Sequence, residues 1–597
     1  MTLGGAAVMF SSDPARSLAG LQRGAVVLGV VLAWSGACLG VGGALLGRGS
    51  LARMFCLGLA VLGTFALPLF AWVGVSRLTC LLLLAGGLAG FIRRPVIVWP
   101  KLGLPILTGL AGVLAVGFID ALAPPVDTDE IYQHLALPAQ FLLSGELFGG
   151  WMHPDASRPL LVHLNWTVLM GLGGEAAPKL LHLLISGILL CGVWEVGQRH
   201  GREGTGTFAV LLLVGSYTFV REIGLAYNNL PAALACLLAM EAALDEEGWA
   251  VGVFSGIALA IKYTAAPMVG AIFLVYWIRR KGLGPWVPML LMLMGCVVWL
   301  FPWWLRNLVG GLHPLFPYAG WSGDLAFMSP EKYGMGRAPL DFLLLPWNLT
   351  VHAETDSFRF LGRVNPLGLA CLPVALVVGG RQKSLFLFAG VVAFAGWAVG
   401  PQWARHLLPA SPVLALALAE GALALKAPVR WMLVGVWLLG LPGNWGPWFA
   451  GMSGRLPAAF DPDSRSAVLE QEVDGYSAAH WVHAYAPSDA RVALLFSWPL
   501  YYVGRPAVLG SVEDHVPTRH FLESHGDRAL SELAAMEVTH VMVSRVGFIH
   551  KSYPFLEQEE FHENYVAFEE QLEALLMAGA VKVFEDGRHS VWRLIEP

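Results

Sequence analysis

The sequence is poor in charged residues: Asp, Glu, Lys and Arg make up only 14% of its 597 positions, while 56% are hydrophobic. An ordinary soluble protein carries roughly a quarter charged residues, so this composition indicates a membrane protein. The shortage of charge excludes a soluble enzyme and a nucleic-acid-binding protein built on a basic face. The abundance of apolar residues excludes a disordered scaffold.

Cysteine is scarce as well. The seven cysteines all lie in apolar stretches, and no CxxC or Cys/His spacing occurs. The sequence therefore predicts neither a zinc site nor a disulfide framework, and the cysteines are expected to be small buried side chains. A cleavable signal is not evident either, because the first apolar run is long and is followed by further apolar runs, which is typical of a membrane span.

The charges that are present divide the chain into two parts. Residues 451–597, which we call the C-terminal tail, hold 22 acidic and 11 basic residues, whereas residues 1–450 hold 21 acidic and 27 basic residues. The acidic tail has the size of one soluble domain. The longer, apolar part is expected to lie in the membrane.

A membrane-spanning helix needs about 20 mostly apolar residues, or somewhat fewer if its ends reach toward water. About fourteen stretches qualify, and the pair around Lys262 is the least clearly divided: 24–46, 54–74, 77–93, 103–120, 178–198, 207–225, 228–244, 249–265, 267–280, 286–306, 365–380, 385–400, 406–425 and 430–449. The predicted fold is mainly α, a polytopic membrane helix bundle followed by a soluble α/β domain.

Short loops rich in Lys and Arg are expected on the cytoplasmic side. With fourteen spans, six basic loops fall on one side: Arg48/Arg53, Arg93/Arg94/Lys101, Arg199/Arg202, Arg279/Arg280/Lys281, Arg381/Lys383 and Lys426/Arg430. The other side receives the loops 120–177 and 307–364 and the tail, which would be periplasmic. The acidic turn Asp245-Glu246-Glu247 is an exception on the basic side, although acidic residues weigh little in this rule.

The stretch Leu160 to Leu172 is apolar but is not counted as a span, because counting it would move every later basic loop to the other side. It is predicted to lie along the outer membrane surface, with Trp151 and Trp166 at the level of the lipid headgroups.

The tail alternates between helical and strand patterns. Residues 476–486 and 561–578 indicate helices, and Arg491 to Phe496 and Val538 to Ser544 indicate buried strands. Val581 to Leu594 predicts a hairpin. The aromatic stretch Phe496 to Tyr502 is interpreted as core, with contact to a sugar acceptor as the alternative.

The densest acidic segment outside the tail's charged surface and the acidic turn is Asp127-Thr128-Asp129-Glu130, just past the fourth predicted span. Its three carboxylates repel one another, which raises the pKa of at least one unless cations or hydrogen-bond donors compensate. Such a group can act as a general base or bind a metal, and a solvated polar loop is the plainer interpretation. Tyr132 and His134 follow directly and are candidate substrate-binding residues, although a packing role is the plainer interpretation of His134.

Several segments resemble the GT-C class of glycosyltransferases, the bacterial branch akin to protein O-mannosyltransferases and lipid A aminoarabinose transferases. The resemblance covers roughly residues 100–425, and these segments carry it in order: Asp129 to Pro138 followed by Ser144-Gly145-Glu146, Lys179 to His182, Gly256 to Thr264, Pro302 to Asn307, His313 to Tyr318, and Arg405 to Pro409. The three additional N-terminal spans lie outside it. The domains are accordingly predicted as residues 1–100 (extra N-terminal helices), 101–450 (GT-C-like catalytic core) and 451–597 (periplasmic α/β domain).

The resemblance implies a transferase that takes a sugar from a polyprenyl-phosphate carrier on the non-cytoplasmic face. The acidic pair of the family maps onto Asp129-Glu130, and Asp129 is expected to deprotonate the acceptor hydroxyl, with Asp127 beside it. An inverting displacement requires a carboxylate on the acceptor side and cations that hold the departing phosphate. Lys262, Arg405 and Arg306 are the candidate cations, and snorkelling to the membrane surface is the alternative for each.

One position departs from the family pattern. Relatives often carry a second Asp after an Ala-Tyr-like pair, but here Ala226-Tyr227 is followed by Asn228-Asn229. An amide such as Asn229 can hydrogen-bond a sugar but is a poor metal ligand, and Glu222 is a possible substitute. The sequence leaves open whether a divalent cation such as Mg²⁺ or Mn²⁺ takes part, and Asp127 and Asp129 are the ligands it would use.

The prediction is thus a hexosyl or pentosyl transferase of the cell envelope, a multi-pass protein of a bacterial inner membrane. Its partners would be a polyprenyl-phosphate-linked sugar, membrane lipids and a glycan, lipid or protein acceptor, and no nucleic acid. A lipid or solute transporter is one alternative, although no pseudo-symmetric halves are found. A GT-C-like structural or assembly subunit with altered or lost activity is the other, which Asn228-Asn229 favours.

Overall fold

A computed structural model describes residues 14–150, 152–280, 286–319, 334–355, 359–377, 381–497, 499–510, 516–545 and 566–595. The apolar part is a bundle of helices. Their bounds are α1 Pro14–Leu46, α2 Leu51–Val73, α3 Arg77–Ala89, α4 Leu104–Leu122, α5 Ala136–Ser144, α6 Leu161–Gly173, α7 Ala176–His200, α8 Thr205–Val214, α9 Tyr217–Ile223, α10 Asn229–Leu244, α11 Gly248–Ile261, α12 Ala266–Arg279, α13 Trp286–Val309, α14 Pro339–Val351, α15 Pro366–Val377, α16 Arg381–Ala398, α17 Ser411–Leu423 and α18 Ala427–Arg455.

Within the described ranges, four helices are long and apolar enough to cross a membrane: Gly24–Leu46, Leu51–Val73, Ala176–His200 and Met292–Val309. Helices α8 and α9 form a further candidate that is bent by 81°. Eight shorter apolar helices of 10–17 residues accompany them. The chain therefore has the apolar helices of a multi-pass membrane protein, and the number of about fourteen spans stays a prediction.

Glycine allows a close helix contact between α11 and α13. A Cβ on Gly256 would lie 2.7 Å from the Cα atom of Cys296, and one on Gly295 would lie 2.5 Å from the carbonyl carbon of Gly252. No other residue fits at such distances without a shift of backbone. Small residues four apart are a common means of packing helices closely in membranes.

Helix α6 corrects the prediction of a surface helix at Leu160 to Leu172. It packs among α1, α2, α3, α5 and α7, and Trp166 is wholly buried rather than at headgroup level. The Asn165 side chain accepts a hydrogen bond from Trp34 and donates one to the carbonyl of Leu59, so it joins α6 to α1 and α2. The apolar pattern predicts the helix, but it does not show whether lipid or protein covers the helix. Trp151 lies outside the described residues.

The acidic turn lies among arginines, which explains its place on the basic side. Arg53 donates to Glu241 at 2.9 Å and to Glu247 at 2.6 Å, and Arg279 lies 3.5 Å from Glu246. These pairs bring the loops after α1, α10 and α12 to one end of the bundle. Opposite charges at this end therefore neutralise one another across the helices.

Three further contacts place more basic loops at the same end. Strand β1 (Arg48–Ser50) pairs in parallel with β2 (Val96–Val98), which joins the first two basic loops. Arg199 pairs with Glu241, and Arg202 lies 3.5 Å from Glu420 near the end of α17. The grouping of these loops agrees with a single topological side.

The tail contains helices and a mixed sheet. Their bounds are β3 Val492–Leu495, β4 Ala507–Val508, β5 His540–Ser544, β6 Ala580–Glu585, β7 His589–Leu594, α19 Pro462–Glu472, α20 Tyr476–Tyr485, α21 Val516–His525, α22 Ala529–Ala535 and α23 Ala567–Gly579. The five strands lie in the order β4-β3-β5-β7-β6. Strands β3, β4 and β5 are parallel, and β7 is antiparallel to both β5 and β6. The predicted strands and hairpin are present, while residues 561–565 of the last predicted helix lie outside the described ranges.

The tail packs on the end of the bundle opposite the acidic turn. The Tyr502 hydroxyl donates to the carbonyl of Pro125 at 2.5 Å, and the Tyr501 hydroxyl donates to Glu175 at 2.9 Å. Phe496 and Leu500 are wholly buried, as the interpretation of this stretch as core predicts. Trp498 lies outside the described residues. The tail thereby contacts the chain just before the acidic segment.

Candidate active site

The acidic segment 127–130 lies where α4, α9, α10 and α11 end or begin beneath the tail. It follows α4 after two prolines, which cannot continue a helix. It leads into a π-helical turn, Glu130–His134, and then into α5. A π turn carries one extra residue, which changes the directions of its side chains relative to a regular helix, and such turns are frequent at functional sites.

Asp127 is held by two hydrogen-bond donors from the α9 region. Arg221 donates to one carboxylate oxygen and Tyr227 to the other, which also accepts the Asp129 backbone N–H. Burial by itself raises the pKa of Asp127, but the charge of Arg221 and the Tyr227 hydroxyl outweigh it and hold the pKa below its usual value. Asp127 is therefore an ionised, immobilised carboxylate.

Asp129 is paired with Arg405, which comes from a single 3-10 turn, Ala404–Leu407, before α17. The guanidinium lies 2.5 Å from the Asp129 carboxylate, whose side chain keeps 17% of its surface exposed. Arg405 also lies over the rings of Trp403 and Tyr227, at 4.4 and 5.9 Å from their centroids. These aromatic contacts fix the guanidinium in front of the carboxylate. Of the three acidic side chains in the segment, Asp129 is the most exposed.

Glu130 points into the protein and is wholly buried. One carboxylate oxygen accepts the backbone N–H of Ala226 at 2.6 Å. Burial raises the pKa of Glu130 to about 7, the charge of Lys179 opposes this rise, and the charge of Asp127 adds to it. The raised pKa that the sequence predicts for one member of the segment thus falls on Glu130. Glu130 is thus the member of the segment that has no exposed surface.

Lys262 takes part in a chain of hydrogen bonds at the end of α11. Its ammonium group donates to Asn229 at 2.7 Å, and the Asn229 amide donates to Glu222 at 2.7 Å. Arg405 and Asp129 lie close enough to act on Lys262 electrostatically. Among the described residues, the hydrogen bonds of Lys262 use one of its three N–H donors, so the others can meet an anion.

Arg158 is a further cation that the sequence analysis did not single out. It lies 3.1 Å from the Asp155 carboxylate, over the Tyr318 ring, and near enough to Lys262 to act on it electrostatically. Arg306 is bound differently, because it donates to the backbone carbonyl of Arg158 at 3.1 Å and to the neighbouring Asn307. Arg306 thus contacts the backbone of Arg158 and helps to hold that residue in position.

The two ring residues of the acidic loop are both buried. His134 meets His163 through a hydrogen bond of 3.0 Å and contacts the Tyr227 ring edge-on at 4.8 Å. Burial, aided by the positive charges nearby, lowers the pKa of His134 well below its usual value, so the ring is neutral. Tyr132 is 8% exposed, and burial together with the negative charges of Asp155 and Asp129 raises its pKa well above the usual value. Both residues pack behind the acidic segment.

The donor set around Asp127 and Asp129 does not fit a divalent cation. Both oxygens of Asp127 accept hydrogen bonds from Arg221 and Tyr227, and Asp129 is paired with Arg405. A metal would have to displace two guanidinium groups, whose charges repel it. Among the described residues, the group whose spacing suits a metal is His200, Glu241 and Asp245 at the other end of the bundle, where Arg53 and Arg199 already neutralise the carboxylates.

The structure therefore brings Asp127, Asp129, Glu130, Asn229, Lys262 and Arg405 together and leaves Arg306 behind Arg158. The contacts of Arg158, Arg221 and Tyr227 could not be predicted from the sequence. Tyr227 and Glu222 were visible only as parts of the departure from the family pattern. Arg158 and Arg221 had a weak signal, namely a charge next to apolar stretches on the predicted outer side.

Comparison with known proteins gives structural likenesses only: no protein-family model and no curated protein matches the chain. ArnT from Cupriavidus metallidurans bound to undecaprenyl phosphate is 13% identical, with a TM-score of 0.49 over 82% of this chain and 98% of that chain. The arabinofuranosyltransferase AftD from Mycobacteria is 14% identical, with a TM-score of 0.45 over 82% and 40% of the two chains. The Archaeoglobus fulgidus oligosaccharyltransferase is 12% identical, with a TM-score of 0.40 over 82% and 74%.

At these values the likenesses support no statement about single residues or substrates. The three proteins are all GT-C glycosyltransferases, the class that the motifs between residues 100 and 425 resemble. The chain is similar to the GT-C-class membrane glycosyltransferases.

Proposed function

We propose that the protein transfers a sugar from a polyprenyl-phosphate carrier to an acceptor hydroxyl at the end of the bundle that faces the tail. One observation carries this proposal: a partly exposed carboxylate, Asp129, is paired with Arg405 and lies within electrostatic range of Lys262 and Arg158, three cations from distant segments. A displacement at an anomeric carbon needs a base for the incoming hydroxyl and positive charge for the departing phosphate. The site offers both within one cluster.

In this mechanism Asp129 accepts the proton of the acceptor hydroxyl while the oxygen of that hydroxyl attacks the anomeric carbon. The new C–O bond forms as the bond from that carbon to the phosphate oxygen breaks, and the electron pair leaves with the polyprenyl phosphate. The carboxylate and the phosphate lie on opposite faces of the sugar, so the configuration is inverted. Asp127, which is immobilised by Arg221 and Tyr227, keeps the segment in place and adds negative charge beside Asp129.

Lys262 and Arg405 are proposed to hold the phosphate, with Arg158 as a third cation. Lys262 is suited to this role because, among the described residues, its ammonium group forms no direct hydrogen bond with a carboxylate. It donates to Asn229, and Asn229 in turn donates to Glu222. Arg405 would share its donors between Asp129 and the phosphate. Asn228-Asn229 stand where relatives often carry a second Asp, and Glu222, which bonds to Asn229, supports Lys262 rather than acting as a base.

The proposal is tested by incubating the purified protein, in lipid nanodiscs, with a set of radiolabelled polyprenyl-phosphate sugars and a cell-envelope extract. We expect one donor to be cleaved, with the label moving to an acceptor in the extract. Movement of an uncleaved donor across a vesicle membrane would instead establish the transporter alternative. Binding without cleavage of any donor would establish the subunit with altered or lost activity.

Topology gives an independent prediction, because the proposal needs the tail and the site on the non-cytoplasmic side. The basic loops at the opposite end should then be cytoplasmic. A reporter that is active only in the cytoplasm should be silent when it is fused after Pro597. The same reporter inserted into the acidic turn, at the other end of the bundle, is the matched control and should be active. Activity after Pro597 would contradict the proposed side of the site.

We include the domain division in this proposal. Residues 1–100 supply the additional N-terminal helices, residues 101–450 form the catalytic core with the loops 120–177 and 307–364, and residues 451–597 form a periplasmic α/β domain. The contacts of Tyr501 and Tyr502 with Glu175 and Pro125 support a role of the tail in covering the site.

A further inference from the structure

A cavity of about 380 Å³ lies between the outer loop of the bundle and the edge of the tail's sheet. Its walls come from α5, from the loop that follows α5, and from tail residues just before β3, in β4 and just after α22. This volume falls within the range of small-molecule sites, roughly 300–1,000 Å³. None of the residues of the proposed transfer site lines it.

Hydrogen bonds fix the two walls relative to each other. The Gln140 side chain donates to the carbonyl of Arg505 at 3.0 Å and accepts the backbone N–H of Ala507 at 2.9 Å. The backbone N–H of Leu509 donates to the carbonyl of Met152 at 3.1 Å. The cavity is therefore a preformed space with rigid sides.

The inner part of the cavity presents polar atoms without partners. His153 is 5% exposed, and its Nδ1 has no hydrogen-bond partner among the described residues. The Nε of Arg491 is buried and likewise has none within the described ranges. The Phe148 ring, which packs on His153 at 4.3 Å between centroids, also lines the cavity. Unpaired buried polar atoms are costly, so a bound ligand that paired them would gain binding energy.

The outer part carries three exposed carboxylates: Glu146, Asp489 and Glu537. Among the described residues, Arg491 is the only cationic side chain in the lining, because burial lowers the pKa of His153 to about 4 and leaves its ring neutral. The lining therefore has an excess of negative charge. It should repel phosphate and carboxylate groups and accept neutral or amine-bearing ligands.

Two ligand classes agree with that charge, a hydroxyl-rich sugar and a basic peptide. Lys and Arg side chains have only donors, so only the backbone carbonyls of a basic peptide could pair with the Arg491 Nε, and its side chains would bring like charges next to Arg491. Sugar hydroxyls are both donors and acceptors, and they can pair with Arg491 and the carboxylates at the same time. A sugar ring also has an apolar face for Phe148. The mixture of donors, acceptors and an aromatic ring favours the sugar.

The cavity is separated from Asp129 by the π-helical turn and half of α5. Gln140 is eleven residues beyond Asp129, which corresponds to roughly 16 Å at the rise of an α-helix. A single sugar whose hydroxyl meets Asp129 does not reach that far. A ligand that uses both places has several sugar units or a sugar head carried on a longer molecule.

We propose that this cavity binds a neutral or amine-bearing sugar unit of the acceptor, remote from the hydroxyl that reacts. The role as acceptor rests on the proposed transferase function, whereas the binding of sugar does not. Binding of a remote unit would hold the reacting hydroxyl at Asp129. The acceptor is then a glycan or glycolipid without phosphate on the bound unit.

The test measures direct binding to the full-length protein in nanodiscs by saturation-transfer NMR. The probes are methyl glucoside, methyl glucosaminide, glucose 6-phosphate and a trilysine peptide. We expect the two glycosides to bind and the phosphate to fail. Arg491→Met should weaken glycoside binding about tenfold or more, since it removes a hydrogen bond from a charged donor. Arg528→Met, an exposed arginine of the tail outside the cavity, is the matched control and should bind normally.

Asp489→Asn is the second variant, because this exposed side chain can change without affecting folding, and it should also weaken glycoside binding. Unchanged binding in both cavity variants, or no binding of either glycoside, would overturn the proposal. Preferential binding of trilysine would overturn it in favour of a basic peptide. The transferase function is judged separately by the donor cleavage described above, so either proposal can fail while the other stands.

Discussion

Asp129→Asn is expected to lower the rate of sugar transfer roughly 10²–10⁴-fold, which is the usual contribution of a general base. The substitution keeps the shape of the side chain and removes its basicity. The amide oxygen can still accept a hydrogen bond from Arg405, so the site should keep its structure. The measurement is the single-turnover rate with saturating labelled donor, together with the donor dissociation constant, which should change little.

Two variants serve as controls for this result. Asp127→Asn should cost less, because that carboxylate is already occupied by Arg221 and Tyr227 and holds the segment in place. Asp527→Asn changes an exposed carboxylate of the tail and should leave the rate unchanged. An Asp129→Asn protein with near-normal turnover would contradict the assignment, and the base would then be sought at Asp127 or Glu222.

Lys262→Met is expected to weaken binding of the polyprenyl-phosphate donor roughly 10- to 100-fold. A hydrogen bond between an ammonium group and a phosphate contributes about 1.5–3 kcal/mol, which corresponds to this range. Methionine has a similar length and fits the apolar end of α11, and Asn229 keeps its bond to Glu222. The measurement is donor binding at equilibrium, with thermal unfolding as a check of the fold.

Asn229→Ala separates the role of Lys262 from that of its support. It removes the hydrogen bond that positions the ammonium group, so donor binding should weaken less than in Lys262→Met. Lys582→Met replaces a lysine of the tail sheet and should not affect the donor at all. If Lys262→Met binds the donor as well as the unchanged protein does, then Lys262 is an anchor at the membrane surface and Arg405 or Arg158 must hold the phosphate.

The sequence by itself determined the class of protein and most of its elements. Composition indicated membrane helices, because apolar stretches without charge have no stable place in water. The helices α1, α2 and α7 and the hairpin β6–β7 were predicted from local patterns alone. The acidic segment stood out because three carboxylates in four positions are rare in an apolar chain.

Only the tertiary structure decided which charges meet. Asp127 is paired with Arg221 and Tyr227, which are 94 and 100 positions away, and no local pattern connects residues at such separations. The burial of α6 was decided in the same way, because an apolar helix face is satisfied equally by lipid and by other helices. Local periodicity records the chemistry of a side chain, whereas its partner, its burial and its pKa depend on segments that only the folded chain brings together.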